Sequence, residues 1–140
     1  MAFRMPIPRN STGLTEFMNV SAKVGTESDC VNRTNDVEAV QRMLNLFIPQ
    51  TSIFKFGFGL CKTNGTFDAL LGFYLFKLQR GGILAGFKSD VVDGCVSIAT
   101  GFGYGAHTQY TIVAINQAAN NFNKVGYDNF MATFRESPNI

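Results

Sequence analysis

Apolar residues recur at Val37, Val40, Leu44 and Phe47, and the alternation of three- and four-residue steps predicts a helix with one buried face. Glu38, Gln41, Arg42 and Asn45 fall on the other face. Asn35 stands three residues before Glu38, the spacing of a capping box, and Asp36 adds an acidic residue to the first turn, so the helix is predicted to begin near Asn35. Pro49 ends it, because proline has no amide proton and restricts the residue before it. A second helix is predicted over 69–80. Leu71, Leu75 and Leu78 share a face there, and Leu70, Phe73 and Phe76 widen the apolar arc enough to imply burial on two sides. Gly81 and Gly82 stop it. A third is predicted over 108–123, with Thr108 as N-cap, with Ile112, Ile115, Ala119 and Phe122 on one face, and with Gln109, Asn116, Gln117 and Asn120 elsewhere.

Between these segments the period changes. Over 51–60, Phe54, Phe56, Phe58 and Leu60 alternate with Lys55, Gly57 and Gly59, the pattern of a short half-buried strand weakened by its glycines. The "GFGYG" run at 101–105 is its candidate hairpin partner or, alternatively, a loop with exposed rings. Residues 1–25 read as an irregular arm with room for one short strand, extended by Pro6 and Pro8 and anchored by Phe3, Ile7, Phe17 and Val20. The segment 124–140 keeps Tyr127, Phe130, Met131 and Phe134, enough for a packed tail but not for a second domain. The expected fold is mainly α: a compact three-helix domain spanning 1–140, with an arm over 1–20, a core over 21–120, a tail over 121–140 and a short β-hairpin.

Composition agrees with a single core, since 46% of the residues are hydrophobic and only 16% charged. The formal charge of +2 comes from 12 basic and 10 acidic residues scattered along the chain, which gives no electrostatic footprint for nucleic acid or an anionic membrane. No apolar run is long enough to span a bilayer, and "MAFRMPIPRNSTGLTEF" lacks the apolar centre of a Sec signal. The expected location is cytoplasmic as made, with export by a non-Sec route or incorporation in a virion. Cys30, Cys61 and Cys95 match no short metal-ligand spacing. They read as free buried thiols or, alternatively, as one bridge with a spare thiol.

Two segments, "NGTFDALLGFYLFKLQ" and "DGCVSIATGFGYGAHTQYTIVAIN", both run from an Asn/Asp-Gly pair into a helix, and such pairs favour tight turns. With "SAKVGTESDCVNRTNDVEAVQRMLN" before them, the chain over roughly 21–120 resembles the peptidoglycan-binding-like domains, small three-helix modules of bacterial and phage wall-active proteins. In the first block Asn32, Asp36, Val37, Val40, Gln41, Leu44 and Asn45 are in step with the family's pattern. The second is similar at Asn64-Gly65 and Leu78-Gln79, with Asp68 and Leu71 replacing the family's glycine and threonine. The third is similar at Asp93-Gly94, Thr111, Ile112, Ile115 and Asn116, with its connection lengthened by the Gly-rich run.

The resemblance implies recognition of wall glycan or stem peptide. The residue types suited to such a ligand are amides and carboxylates for acetamido and hydroxyl groups, and rings for the apolar face of a sugar. They meet at Asn64, Asp93, Phe102, Tyr104, His107 and Tyr110, the candidate ligand-binding set. No catalytic constellation is expected. A glycosidase needs two carboxylates across a cleft and a zinc amidase several His or Cys ligands, whereas His107 is the single histidine. Glu27, Asp29 and Asp68 are acidic residues able to gather, but turns and helix starts account for them. No cofactor and no metal is implied. The alternative is an adaptor or structural protein of a phage tail or contractile injection system that binds another protein.

Overall fold

The computed structural model describes residues 1–7, 13–52, 57–81, 83–84, 89, 92–100 and 110–135. The N-terminal arm is an antiparallel hairpin. Strand β1 (Phe3–Pro6) pairs with β2 (Glu16–Asn19), Phe3 opposite Asn19 and Pro6 opposite Glu16. The second strand escaped the sequence reading because Phe17, Met18 and Asn19 are all buried, so no alternation of apolar and polar residues marks it. Pro6 is tolerated at the end of its strand, where a missing amide costs least.

Four α-helices follow: α1 (Thr34–Phe47), α2 (Ala69–Gln79), α3 (Thr111–Phe122) and α4 (Lys124–Met131). A 3-10 turn at Ile48–Gln50, with Pro49 in its first turn, closes α1 where proline was expected to end it. Val37, Val40, Leu44, Leu75, Leu78, Ile112 and Ile115 are fully buried in one cluster with Phe17 and Met18 of β2. Helix α3 packs against α1, α4 and β2 and so lies at the centre of the described fold. The tail contains the fourth helix. Its eight residues include Gly126 and follow three asparagine-rich positions, a composition that suggests a loop, yet Asn123 caps it by accepting from the Gly126 amide at 3.1 Å. Tyr127, Phe130 and Met131 are buried beneath it. The mainly α expectation therefore holds, with four helices and a two-stranded sheet among the described residues.

Several details differ from the sequence reading. Helix α1 starts after Arg33 with no side-chain cap, so the Asn35–Glu38 box is absent. Asp36 instead turns inward and accepts from the Ser21 amide (3.0 Å), the Ser21 hydroxyl (2.8 Å) and the Ala22 amide (3.0 Å). Gln41 and Asn116, assigned to polar faces, are fully buried, and Asn45 is half-buried. Phe76 and Phe122, assigned to apolar faces, are 41% and 46% exposed. In the expected strand, residues 57–60 are not extended into a ladder, and Phe58 packs on Phe73 of α2 with ring centroids 4.7 Å apart. Phe54, Phe56, the "GFGYG" run, Thr108 and Gln109 lie outside the described residues. No described helix is long and apolar enough to cross a membrane.

Candidate functional site

The two Asn/Asp-Gly turns share one construction. Gln41, on the third turn of α1, accepts from the Gly65 amide at 3.0 Å through Oε1. Through Nε2 it donates to the Thr66 carbonyl (3.0 Å) and to Asn64 Oδ1 (3.3 Å). Gln79, the last residue of α2, does the same one element later. Its Oε1 accepts from the Gly94 and Asp93 amides at 2.8 and 3.2 Å. Its Nε2 donates to the Cys95 carbonyl (2.8 Å), Asp93 Oδ1 (3.1 Å) and Thr111 Oγ1 (3.3 Å). Within each turn the Asn or Asp oxygen also accepts from the amide two residues on, Thr66 at 3.0 Å and Cys95 at 2.9 Å. Both glycines sit at positive φ, +73° and +69°, which explains their residue type.

The same logic extends to four asparagines, each gripping the amide and the carbonyl of one backbone residue. Asn32 holds Gly25, Asn45 holds Cys61, Asn19 holds Ala99 and Asn116 holds Met18, with distances between 2.8 and 3.1 Å. A primary amide presents one donor and one acceptor side by side, so it can stand in for a strand neighbour. In a chain with one short hairpin among its described residues, these side chains satisfy backbone groups that a larger sheet would satisfy elsewhere. The polar side chains of Asn32, Gln41, Gln79 and Asn116 thus work inside the fold.

Of the candidate ligand-binding set, Asn64 and Asp93 lie in the two clamped turns, each with one side-chain oxygen committed to the turn. Tyr110 stands at the start of α3, half-buried, and its hydroxyl donates to the Thr100 carbonyl at 2.8 Å. Asp93 and Tyr110 therefore bracket the second clamp, because Thr111 is the residue that Gln79 reaches. Phe102, Tyr104 and His107 lie outside the described residues. Asp68 is used as the N-cap of α2, accepting from the Leu71 amide at 2.9 Å. Glu27 and Asp29 converge instead on Lys23, whose ammonium lies 3.3 and 3.2 Å from them and is held well above the usual lysine range by those hydrogen bonds.

A polar cleft of about 340 Å³ opens between the hairpin and α4, lined among others by Arg4, Glu16, Asn120, Lys124, Tyr127 and Asp128. Arg4 meets Glu16 at 3.3 Å and Lys124 meets Asp128 at 3.2 Å. Tyr127 donates to Asn116 Oδ1 at 2.9 Å, and burial, with Glu16 and Asp128 nearby, raises its phenol above the usual range. The Lys124–Asp128 spacing was visible in the sequence as a helical pair, but the cleft needed the β1–β2 register, which sets Arg4 diagonal to Glu16.

Near the second turn, ligand atoms of Glu27, Asp93 and Cys95 lie within 4.8 Å of one another, and Cys30 Sγ is 3.3 Å from Cys95 Sγ. Burial pushes the Cys30 thiol up to about 11 and the Cys61 thiol to about 12. The arrangement as a whole offers hydrogen-bonding and charge-pair recognition. No family model, curated protein or solved structure matches the chain.

Proposed function

We propose that this chain is a non-catalytic module that recognises bacterial cell-wall peptidoglycan. The observation that carries the reading is the pair of glutamine-clamped Asn/Asp-Gly turns, because it gives the spacing of the resemblance a physical content: the helix glutamine and the turn that it holds must occur together. The binding surface in this reading is centred on Asp93 and Tyr110 at the second clamp, and Phe102, Tyr104 and His107, from the sequence between them, are its further candidates. A ring suits the apolar face of an amino sugar, and amides and a carboxylate suit acetamido and hydroxyl groups. The role of Asn64 in this reading is to hold the first turn.

The test is cosedimentation with insoluble wall sacculi at low and moderate salt, beside Tyr104→Ala and Tyr110→Ala variants whose helicity is checked by circular dichroism. Retention of the parent and a loss of about tenfold in a folded ring variant support the proposal. Release of soluble muropeptides by the pure chain contradicts its non-catalytic part. A parent that is not retained favours the second reading, an adaptor of a phage tail or contractile injection system. That reading draws on the neighbouring exposed apolar residues Phe122 (46%) and Val125 (74%) at the α3–α4 junction.

A further inference from the structure

We propose that Cys30 and Cys95 form an intramolecular disulfide that locks the loop before α1 onto the second clamped turn, leaving Cys61 as the only free thiol. The backbone on both sides is already fixed for it. Val24 and Val96 form an antiparallel bridge, with N–H···O distances of 3.0 and 2.7 Å, and Cys95 is the residue before Val96. The Cys95 carbonyl is held by Gln79 at 2.8 Å. The loop carrying Cys30 is closed by Asn32 on Gly25, and the Cys30 amide donates to the Glu27 carbonyl at 3.0 Å. Gly25 makes room for the contact, because a Cβ there would lie 2.4 Å from Cys95 Sγ and 2.7 Å from Cys95 Cα.

The two sulfurs stand 3.3 Å apart although they are 65 positions apart in the chain. Bond formation asks for an approach of roughly 1.3 Å between the two sulfurs. Cys30 is half-exposed and Cys95 is buried, which sets the order of events. The Cys30 thiolate attacks a low-molecular-weight disulfide RSSR, forming Cys30–S–SR and releasing one thiolate. The Cys95 thiolate then attacks Cys30 Sγ, expelling the second. Both cysteine protons pass to the released thiolates, the two cysteines are oxidised, and RSSR is reduced to two RSH. The groups facing the pair are Lys23, Glu27 and Asp93, with Asp29 bound to the Lys23 ammonium. A metal ion is the weaker occupant of this corner, since Glu27 is held by the Lys23 ammonium and Asp93 Oδ1 by Gln79 and the Cys95 amide.

The experiment incubates the full chain with oxidised glutathione at about pH 8.5, where thiolate is more abundant, then unfolds and alkylates it for mass spectrometry. The expected product carries one alkylated thiol at Cys61 and a cross-linked Cys30–Cys95 peptide. Its thermal midpoint rises on the order of 10 °C and falls back on adding dithiothreitol. Cys61→Ser behaves as the parent, and Cys30→Ser shows neither the cross-link nor the shift. Cys30→Ser carries this control because the half-exposed position tolerates serine even if Cys95→Ser fails to fold. Three alkylated thiols after oxidation, a bridge through Cys61, or protection by zinc that a chelator reverses would each overturn the proposal.

Discussion

The turn at Asn64-Gly65 and the turn at Asp93-Gly94 are built alike but anchored differently. The first is read by Gln41 from the middle of a helix and presses on the start of α1, where a Cβ at Gly65 would meet Thr34 Cγ2 at 2.5 Å and the Thr34 carbonyl oxygen at 2.7 Å. The second is read by Gln79 from the end of a helix and reaches the start of α3 through Thr111. Its glycine is less crowded, the nearest atom to a Cβ at Gly94 being Thr26 Oγ1 at 3.3 Å. The first turn is thus fixed mainly by shape and the second mainly by hydrogen bonds. Both place a helix start beside a turn, which helps keep the helices in register where the described residues form one two-stranded sheet.

That contrast sets an order of effects. Replacing each glutamine by leucine strands the turn amides and carbonyls in a buried place. Gln79→Leu is expected to cost about 3 to 5 kcal/mol and Gln41→Leu about 2 to 3 kcal/mol, read from urea unfolding. Equal costs would mean that the additional contacts of Gln79, to Thr111 and the Asp93 amide, contribute nothing. The glycines should invert the ranking. Gly65→Ala combines a positive φ with a backbone collision and is expected to cost about 3 kcal/mol, whereas Gly94→Ala, also at positive φ, meets a hydroxyl at 3.3 Å and a Phe76 ring carbon at 3.9 Å and should cost about 1 to 2 kcal/mol. A Gly94 variant weaker than the Gly65 variant would contradict the crowding argument. Exchanging the turn acids and amides, Asn64→Asp and Asp93→Asn, keeps the oxygen that each turn uses. A change within about 1 kcal/mol is expected in thermal midpoints measured side by side.

The long apolar stripes made three helices legible in the sequence, and the bounds of α1 and α2 fall within one or two residues of the expected ones. What the stripes conceal is the work of the amides. Gln41, Asn45 and Asn116 look solvent-facing because polarity normally marks the wet side of a helix, and nothing local signals that a distant backbone group waits for them. Strand β2 and helix α4 were hidden for opposite reasons, β2 because it is buried on both faces and α4 because its composition is that of a loop. The cleft at Arg4, Glu16, Lys124 and Asp128 joins the two ends of the chain, a distance that no local pattern spans.

The central structural claim is that the two turns are one device used twice, and amide hydrogen exchange followed by nuclear magnetic resonance tests this most directly. Gly65 and Gly94 donate to buried glutamine oxygens, so their amides should exchange only when the whole domain unfolds, at rates matching those of the buried helix amides of Leu44 and Ile115. Both glycines protected to that common level is the predicted result. Exchange of either one within minutes, as at an ordinary surface turn, would show that its clamp opens on its own and that the two turns are not the same device.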